Sequence, residues 1–185
     1  SFQPIGVILG VMPWNFPFWQ VLRFAYPALM GGNVCLLKHA SNTPGCALTI
    51  EQIFREAGLP EGAFASLLIP ASRVESLIAD KRVASVTLTG STPAGSAVAA
   101  IAGKHLKKTV LELGGSDPYL VLEDCDLAHA IEVCAASRMA NCGQSCVSAK
   151  RMIVVEKHLA AFENGLKAIF EKQQLGNPLD ATTTI

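Results

Sequence analysis

Charge is scarce in this sequence. Asp, Glu, Lys and Arg make up 16% of its 185 residues, against about 25% in an ordinary globular chain. The 15 basic residues cancel the 15 acidic ones, so there is neither a basic footprint for nucleic acid nor an acidic tail. That balance excludes nucleic acid and a membrane surface as partners. Uninterrupted apolar runs are also lacking: Gly, Pro, Asn, Lys or Arg breaks each one well before the ~20 residues of a membrane helix. The six cysteines, at 35, 46, 125, 134, 142 and 146, contain no C-x-x-C pair and no dense secreted framework, which predicts a reducing compartment, by default the cytoplasm. Zinc is excluded on the same ground, because Cys134, Cys142, Cys146 and His129 lack ligand spacing.

What is present is apolar: 50% of the residues are hydrophobic. A chain of this length buries one large core, or one domain and part of another. It opens at Ser1 directly into apolar sequence and stops inside a polar run, Asp180 to Ile185. Those ends predict a piece of a longer chain, and the low charge then reflects faces meant to pack on other segments.

Short β-branched runs alternate with longer amphipathic ones, the pattern of βαβ units. Strands are predicted at 5–11, 34–38, 65–69 and 84–89, and helices at 18–30, 44–57, 72–79 and 92–102, several closed by glycine (Gly31, Gly58, Gly103). Strands that are continuously apolar need helices on both faces, so the expected class is α/β: a doubly wound, mostly parallel, Rossmann-like sheet. After Gly114-Gly115 the pattern shifts to a strand at 119–122, a helix at 127–139, a strand at 151–155 and a helix at 159–172. A domain boundary is therefore placed near Gly114, giving 1–114 and 115–185, the second being the beginning of another α/β domain.

Five segments carry residues suited to chemistry, and each also has an ordinary reading. In Asn141-Cys142-Gly143-Gln144-Ser145-Cys146 a loop cysteine serves as a nucleophile if a base, cation or helix N-terminus supports its thiolate; otherwise it is a small buried hydrophobe. Glu112, before Gly114-Gly115, stands at a strand's carboxyl end, where open sheets bind ligands and a carboxylate acts as general base; alone it is an edge-strand glutamate facing water. In Pro13-Trp14-Asn15-Phe16-Pro17 the prolines hold the loop and Asn15 offers an amide to a developing oxyanion, or simply forms a turn. Thr89-Gly90-Ser91-Thr92-Pro93 opens a helix whose free N–H groups suit phosphate, or is an ordinary capped start. Lys38, before His39-Ala40-Ser41, meets a ribose or phosphate at the same sheet edge, or is a solvated lysine.

Together P-W-N-F-P, L-K-H-A-S, T-G-S, E-L-G-G and G-Q-S-C, in that order across nearly the whole chain, resemble the aldehyde dehydrogenase superfamily, and the 34 residues from Glu112 to Cys146 fit its spacing. The resemblance implies NAD- or NADP-dependent oxidation of a small-molecule aldehyde by a homo-oligomeric enzyme. Cys146 is implied as the nucleophile forming a thiohemiacetal and then a thioester. Asn15 is implied to hold the oxyanion with the Cys146 N–H, and Glu112 to activate the hydrolytic water. Lys38 is implied to bind the adenosine ribose, Gly90 and Ser91 the pyrophosphate, while Trp14 and Leu113 line the cofactor channel. Ser41 stands where NAD-selective members carry an acid, so NADP is expected to be accepted. Glu112 favours hydrolysis over transfer to CoA, the alternative outcome within the superfamily; an inactive nucleotide-binding fragment is the alternative outside enzymology.

Arg23, eight residues after Asn15 and among Val21, Leu22, Phe24 and Ala25, matches the position where succinate-semialdehyde dehydrogenases carry a carboxylate-clamping arginine. Their second arginine, six residues before the cysteine, is replaced here by Ala140, with Arg138 two residues further back. Cys142 is a candidate redox partner of Cys146. The family's later E-E-x-F-G-P motif is absent, so the 185 residues alone are expected to be inactive.

Overall fold

The order of the strands in the larger sheet decides where a ligand can enter. The computed structural model describes residues 3–185, in two compact units, one ending at Gly114 and the other spanning Gly115–Ile185. In the first, strands β1 (Val7–Val11), β2 (Val34–Lys38), β3 (Phe64–Ser66), β4 (Val83–Thr89) and β5 (Lys108–Glu112) pair in the order β3-β2-β1-β4-β5. All four pairings are parallel. The chain winds outward from β1 in both directions, so the topological switch lies between β1 and β4, and the crevice opens at their carboxyl ends.

Helices cover both faces, as the continuous apolar strands require. Helices α1 (Trp19–Met30) and α2 (Pro44–Glu56) pack on one face through Val21, Ala25, Ile50 and Phe54, against Cys35 and Leu37 of β2. Helices α3 (Val74–Ala79) and α4 (Thr92–Lys104) pack on the other through Ile78, Val98 and Ala102, against Leu9, Val86 and Leu88. The seating of α1 depends on Gly10, since a side chain there would collide with the ring of Phe24.

Local expectations change at two glycines. The first strand begins at Val7, because Gly6 has φ +118°, outside the extended region. Helix α4 runs through Gly103 to Lys104, and the turn to left-handed backbone comes at Leu106 (φ 53°). Strand β5, at the sheet edge with one partner, is exposed along Lys108, Thr109 and Val110; only Leu111 of its apolar residues joins the core beneath.

The second unit has a two-stranded parallel sheet, β6 (Pro118–Val121) with β7 (Arg151–Val154). Helices α5 (Leu127–Met139) and α6 (Glu156–Phe170) share a small core with it around Val121, Cys134 and Phe162. Asp126 caps α5, its carboxylate accepting from the His129 N–H at 3.1 Å. Among the described residues no helix is long and apolar enough to cross a membrane.

Candidate functional site

Parallel pairing brings the carboxyl ends of β1, β2, β4 and β5 to one edge of the larger sheet. Val11 is in register with Lys38 on one side and Leu88 on the other, and Thr89 with Glu112. Main-chain bonds continue past the strands: Met12 N–H donates to the Lys38 carbonyl at 3.1 Å, and Gly90 N–H to the Glu112 carbonyl at 2.9 Å. Lys38, the Asn15 loop, Gly90-Ser91 and Glu112 therefore leave the sheet side by side.

Lys38 is buried, with 8% of its surface exposed, so the reading of a solvated cation does not hold. Burial holds its ammonium below the usual lysine range. Ser41, three residues on, is exposed beside a shallow cavity of about 240 Å³ formed by His39, Ser41, Pro44, Leu68 and Pro70. Ser91 caps α4, its hydroxyl accepting from the Ala94 N–H at 3.4 Å. Leu113 lies against that helix at Gly95, and Trp14 is exposed.

Arg23 projects from α1 to the end of β5. Its Nη1 lies 3.8 Å from Glu112 Oε2 and its Nη2 donates to Thr89 Oγ1 at 3.1 Å. Glu112 keeps 53% of its side chain exposed. This group borders a cavity of about 500 Å³, shared with Gln20, Thr87 and Val110. Gln20 is buried, and its Oε1 has no protein partner there.

Asn15 is half-buried in the loop before α1. His39, buried, reaches that loop: its Nδ1 accepts from the Ala40 N–H at 2.9 Å, which leaves the proton on Nε2 to donate to the Pro17 carbonyl at 2.9 Å. His39 and Thr89 are site-shaping residues that the sequence did not single out. A histidine that follows a strand and precedes a helix start was the available signal for the first; Thr89 opens the T-G-S motif, but that motif was read for Gly90 and Ser91 alone.

Cys146 belongs to the second unit and is half-buried; Cys142 is exposed. The segment before Cys146 is a sharp left-handed turn through Asn141 (φ 52°), Cys142 (φ 56°) and Gly143 (φ 73°), conformations that cost a residue with a Cβ. Arg138, at the end of α5, places its carbonyl and guanidinium so near Gly143 that a Cβ there would stand 3.1–3.3 Å from them, a tight fit added to the strain of its positive φ. The other thiols differ: burial pushes Cys35 up to about 12 and raises Cys134 as well, leaving both inert at neutral pH. Among the described residues no group of His, Cys, Asp and Glu is placed to hold a metal ion.

Residues 1–185 match the aldehyde dehydrogenase family. A probable succinate-semialdehyde dehydrogenase [NADP(+)] of Synechocystis sp. is 57% identical over 185 residues, which are 100% of this chain and 41% of that protein. A succinate-semialdehyde dehydrogenase [NADP(+)] of Mycobacterium leprae is 52% identical over 184 residues, covering 100% of this chain and 40% of the relative. The crystal structure of succinic semialdehyde dehydrogenase from Streptococcus pyogenes, in complex with NADP+, superposes with a TM-score of 0.95 at 44% identity, over 99% of this chain and 40% of that one. The chain thus spans about two fifths of the length of the proteins it matches.

Proposed function

Because the chain belongs to the aldehyde dehydrogenase family, we propose that it forms the cofactor-binding unit and the nucleophile-bearing segment of an NADP-dependent enzyme that oxidises succinate semialdehyde, or a similar carboxylate-bearing aldehyde, to the acid. The observation that carries this reading is the convergence of Arg23, Thr89 and Glu112 at the carboxyl edge of a switch-point sheet, together with relatives whose names specify that substrate and NADP.

The residues at that edge suit a dinucleotide. The start of α4 at Ser91 and Thr92 offers a helix N-terminus to a pyrophosphate, the Gly90 N–H being held by the Glu112 carbonyl, and the buried Lys38 carries an ammonium donor for ribose oxygens. Ser41 leaves the adjoining cavity without the negative charge that would repel a 2′-phosphate. When bound, NADP supplies the hydride acceptor.

The remaining steps fall to the protein. Cys146 adds its thiolate to the aldehyde carbon, giving a tetrahedral thiohemiacetal whose oxyanion is held by the Asn15 amide and the Cys146 N–H. Loss of hydride leaves a thioester on Cys146. Glu112 takes a proton from water, which attacks the thioester carbonyl and releases the carboxylic acid and the thiol. The Arg23 guanidinium, five donors in a planar fork, receives the substrate carboxylate.

The test uses the protein at its native length, with succinate semialdehyde and either NADP or NAD. Reduced NADP and free succinate should accumulate. Cys146→Ala should abolish turnover, and Glu112→Gln should keep one stoichiometric burst of reduced cofactor while steady-state release falls ~100-fold or more. Full turnover by Cys146→Ala, or acyl transfer to CoA in place of hydrolysis, would overturn the reading.

A further inference from the structure

The main chain on both sides of Cys146 is tied down from within the second unit. On the amino side, the Ser145 carbonyl accepts a long bond from the Ser148 N–H at 3.4 Å. On the carboxyl side, the Lys150 ammonium donates to the Cys146 carbonyl at 2.8 Å and to the Gly115 carbonyl at 2.6 Å. Gly115 comes so near that a Cβ on it would stand 3.5 Å from the Cys146 carbonyl oxygen. Two carbonyl oxygens that converge on one spot repel each other, and an ammonium with three donors converts the repulsion into two charge-assisted bonds. The neighbouring Arg151 extends the seam, its Nε donating to the Ser116 carbonyl at 2.8 Å.

We propose that Lys150 is a positioning residue for the nucleophile: by bridging the Cys146 and Gly115 carbonyls it sets the peptide planes around Cys146, and with them the direction of the thiol and of the Cys146 N–H. The effect on turnover rests on the reading of Cys146 as the nucleophile; the effect on the loop does not. The physical reason for such a device lies just upstream. Asn141 and Cys142 hold consecutive left-handed conformations that relax unless the surrounding structure over-determines them, and a reacting thiol displaced by about 1 Å loses ~100-fold in rate. A lysine at 150, exposed in the structure and followed by an arginine, reads from sequence as surface charge, and only its two carbonyl partners reveal the bridge.

Two variants and two readouts test this. Lys150→Met keeps the length of the side chain and removes the donors; Lys150→Arg restores donors. Hydrogen exchange in the 185-residue chain should rise ~10-fold or more at the amides of residues 145–148 in Lys150→Met and return toward the parent in Lys150→Arg. In the native-length enzyme, Lys150→Met should lower kcat ~10- to 100-fold with KM for NADP within about 2-fold, and Lys150→Arg should recover most of it. Unchanged exchange and kcat in Lys150→Met would overturn the proposal. So would a loss accompanied by rapid alkylation of the buried Cys35 and Cys134, which reports general unfolding. Turnover surviving Cys146→Ala would overturn the assignment of the nucleophile instead, and the exchange result would still decide whether Lys150 holds the loop.

Discussion

A lysine with 8% of its surface exposed is an expensive way to end a strand. Lys38 loses hydration that its one flexible stem cannot recover within the sheet, and burial accordingly lowers its proton affinity. The sign of the linkage follows: the native state holds this proton more weakly than the unfolded chain does, so the contribution of Lys38 to stability is fullest above the unfolded value near 10.5 and is lost as pH falls through the lower native value. Lys38→Met should therefore leave the larger unit as stable as the parent or more so at neutral pH, and flatten the rise in stability on the alkaline side. Urea titrations of both proteins across that range check this, the unchanged Cys35 cancelling in the comparison. Affinity for NADP, measured by calorimetry on the native-length protein, should fall ~10-fold or more. A residue that costs stability and supports binding is the pattern expected of a functional lysine.

At the level of elements, the placement of Arg23 is a property of how α1 sits on the sheet. Gly10 of β1 admits the Phe24 ring directly beneath the helix, and Phe24 is the neighbour of Arg23. Gly10→Ala forces the ring away, an overpacking that costs about 1–3 kcal/mol and should appear as a lower urea midpoint with an unchanged m-value. Because α1 moves as a body, the same change should raise KM for succinate semialdehyde more than KM for NADP. Pro27 adds a second constraint on this helix: lying inside it, it cannot donate to the Arg23 carbonyl one turn earlier, so the turn carrying Arg23 is held by fewer bonds than its neighbours.

For the molecule as a whole, several large apolar side chains of the described residues stand in solvent. The cavity of about 500 Å³ beside α1 opens along β5, where Val110 is 60% exposed, and Leu106 and Met30 are exposed at 95% and 89%. Large apolar side chains this exposed are of the kind an interface covers, and the chain spans 41% of the length of its Synechocystis relative. The 185-residue polypeptide by itself should bind a hydrophobic dye such as ANS and produce no measurable reduced NADP from succinate semialdehyde, whereas the native-length protein should turn over and bind little dye. Steady turnover by the 185 residues would show that they form a complete active site.

The sequence by itself determined the class of fold and supplied the candidates for the chemical residues. Continuously apolar strands separated by amphipathic helices leave a two-faced parallel sheet as the solution that buries them, and the five motifs identified the family to which the chain belongs. Helix ends and strand starts were legible where glycine or proline stands at the turn, as at Gly31-Gly32 and Pro44, and were misread at Gly6 and Gly103, where backbone angle and packing outrank composition. Only the tertiary structure decided which polar groups are buried and which meet. Lys38 could be solvated or buried until β2 took its place inside the sheet between β1 and β3. Arg23, Thr89 and Glu112, up to 89 residues apart in the chain, converge because β4 and β5 pair in register. His39 and Lys150 acquire their roles from carbonyl oxygens, which every residue has and which only folding brings to a particular side chain.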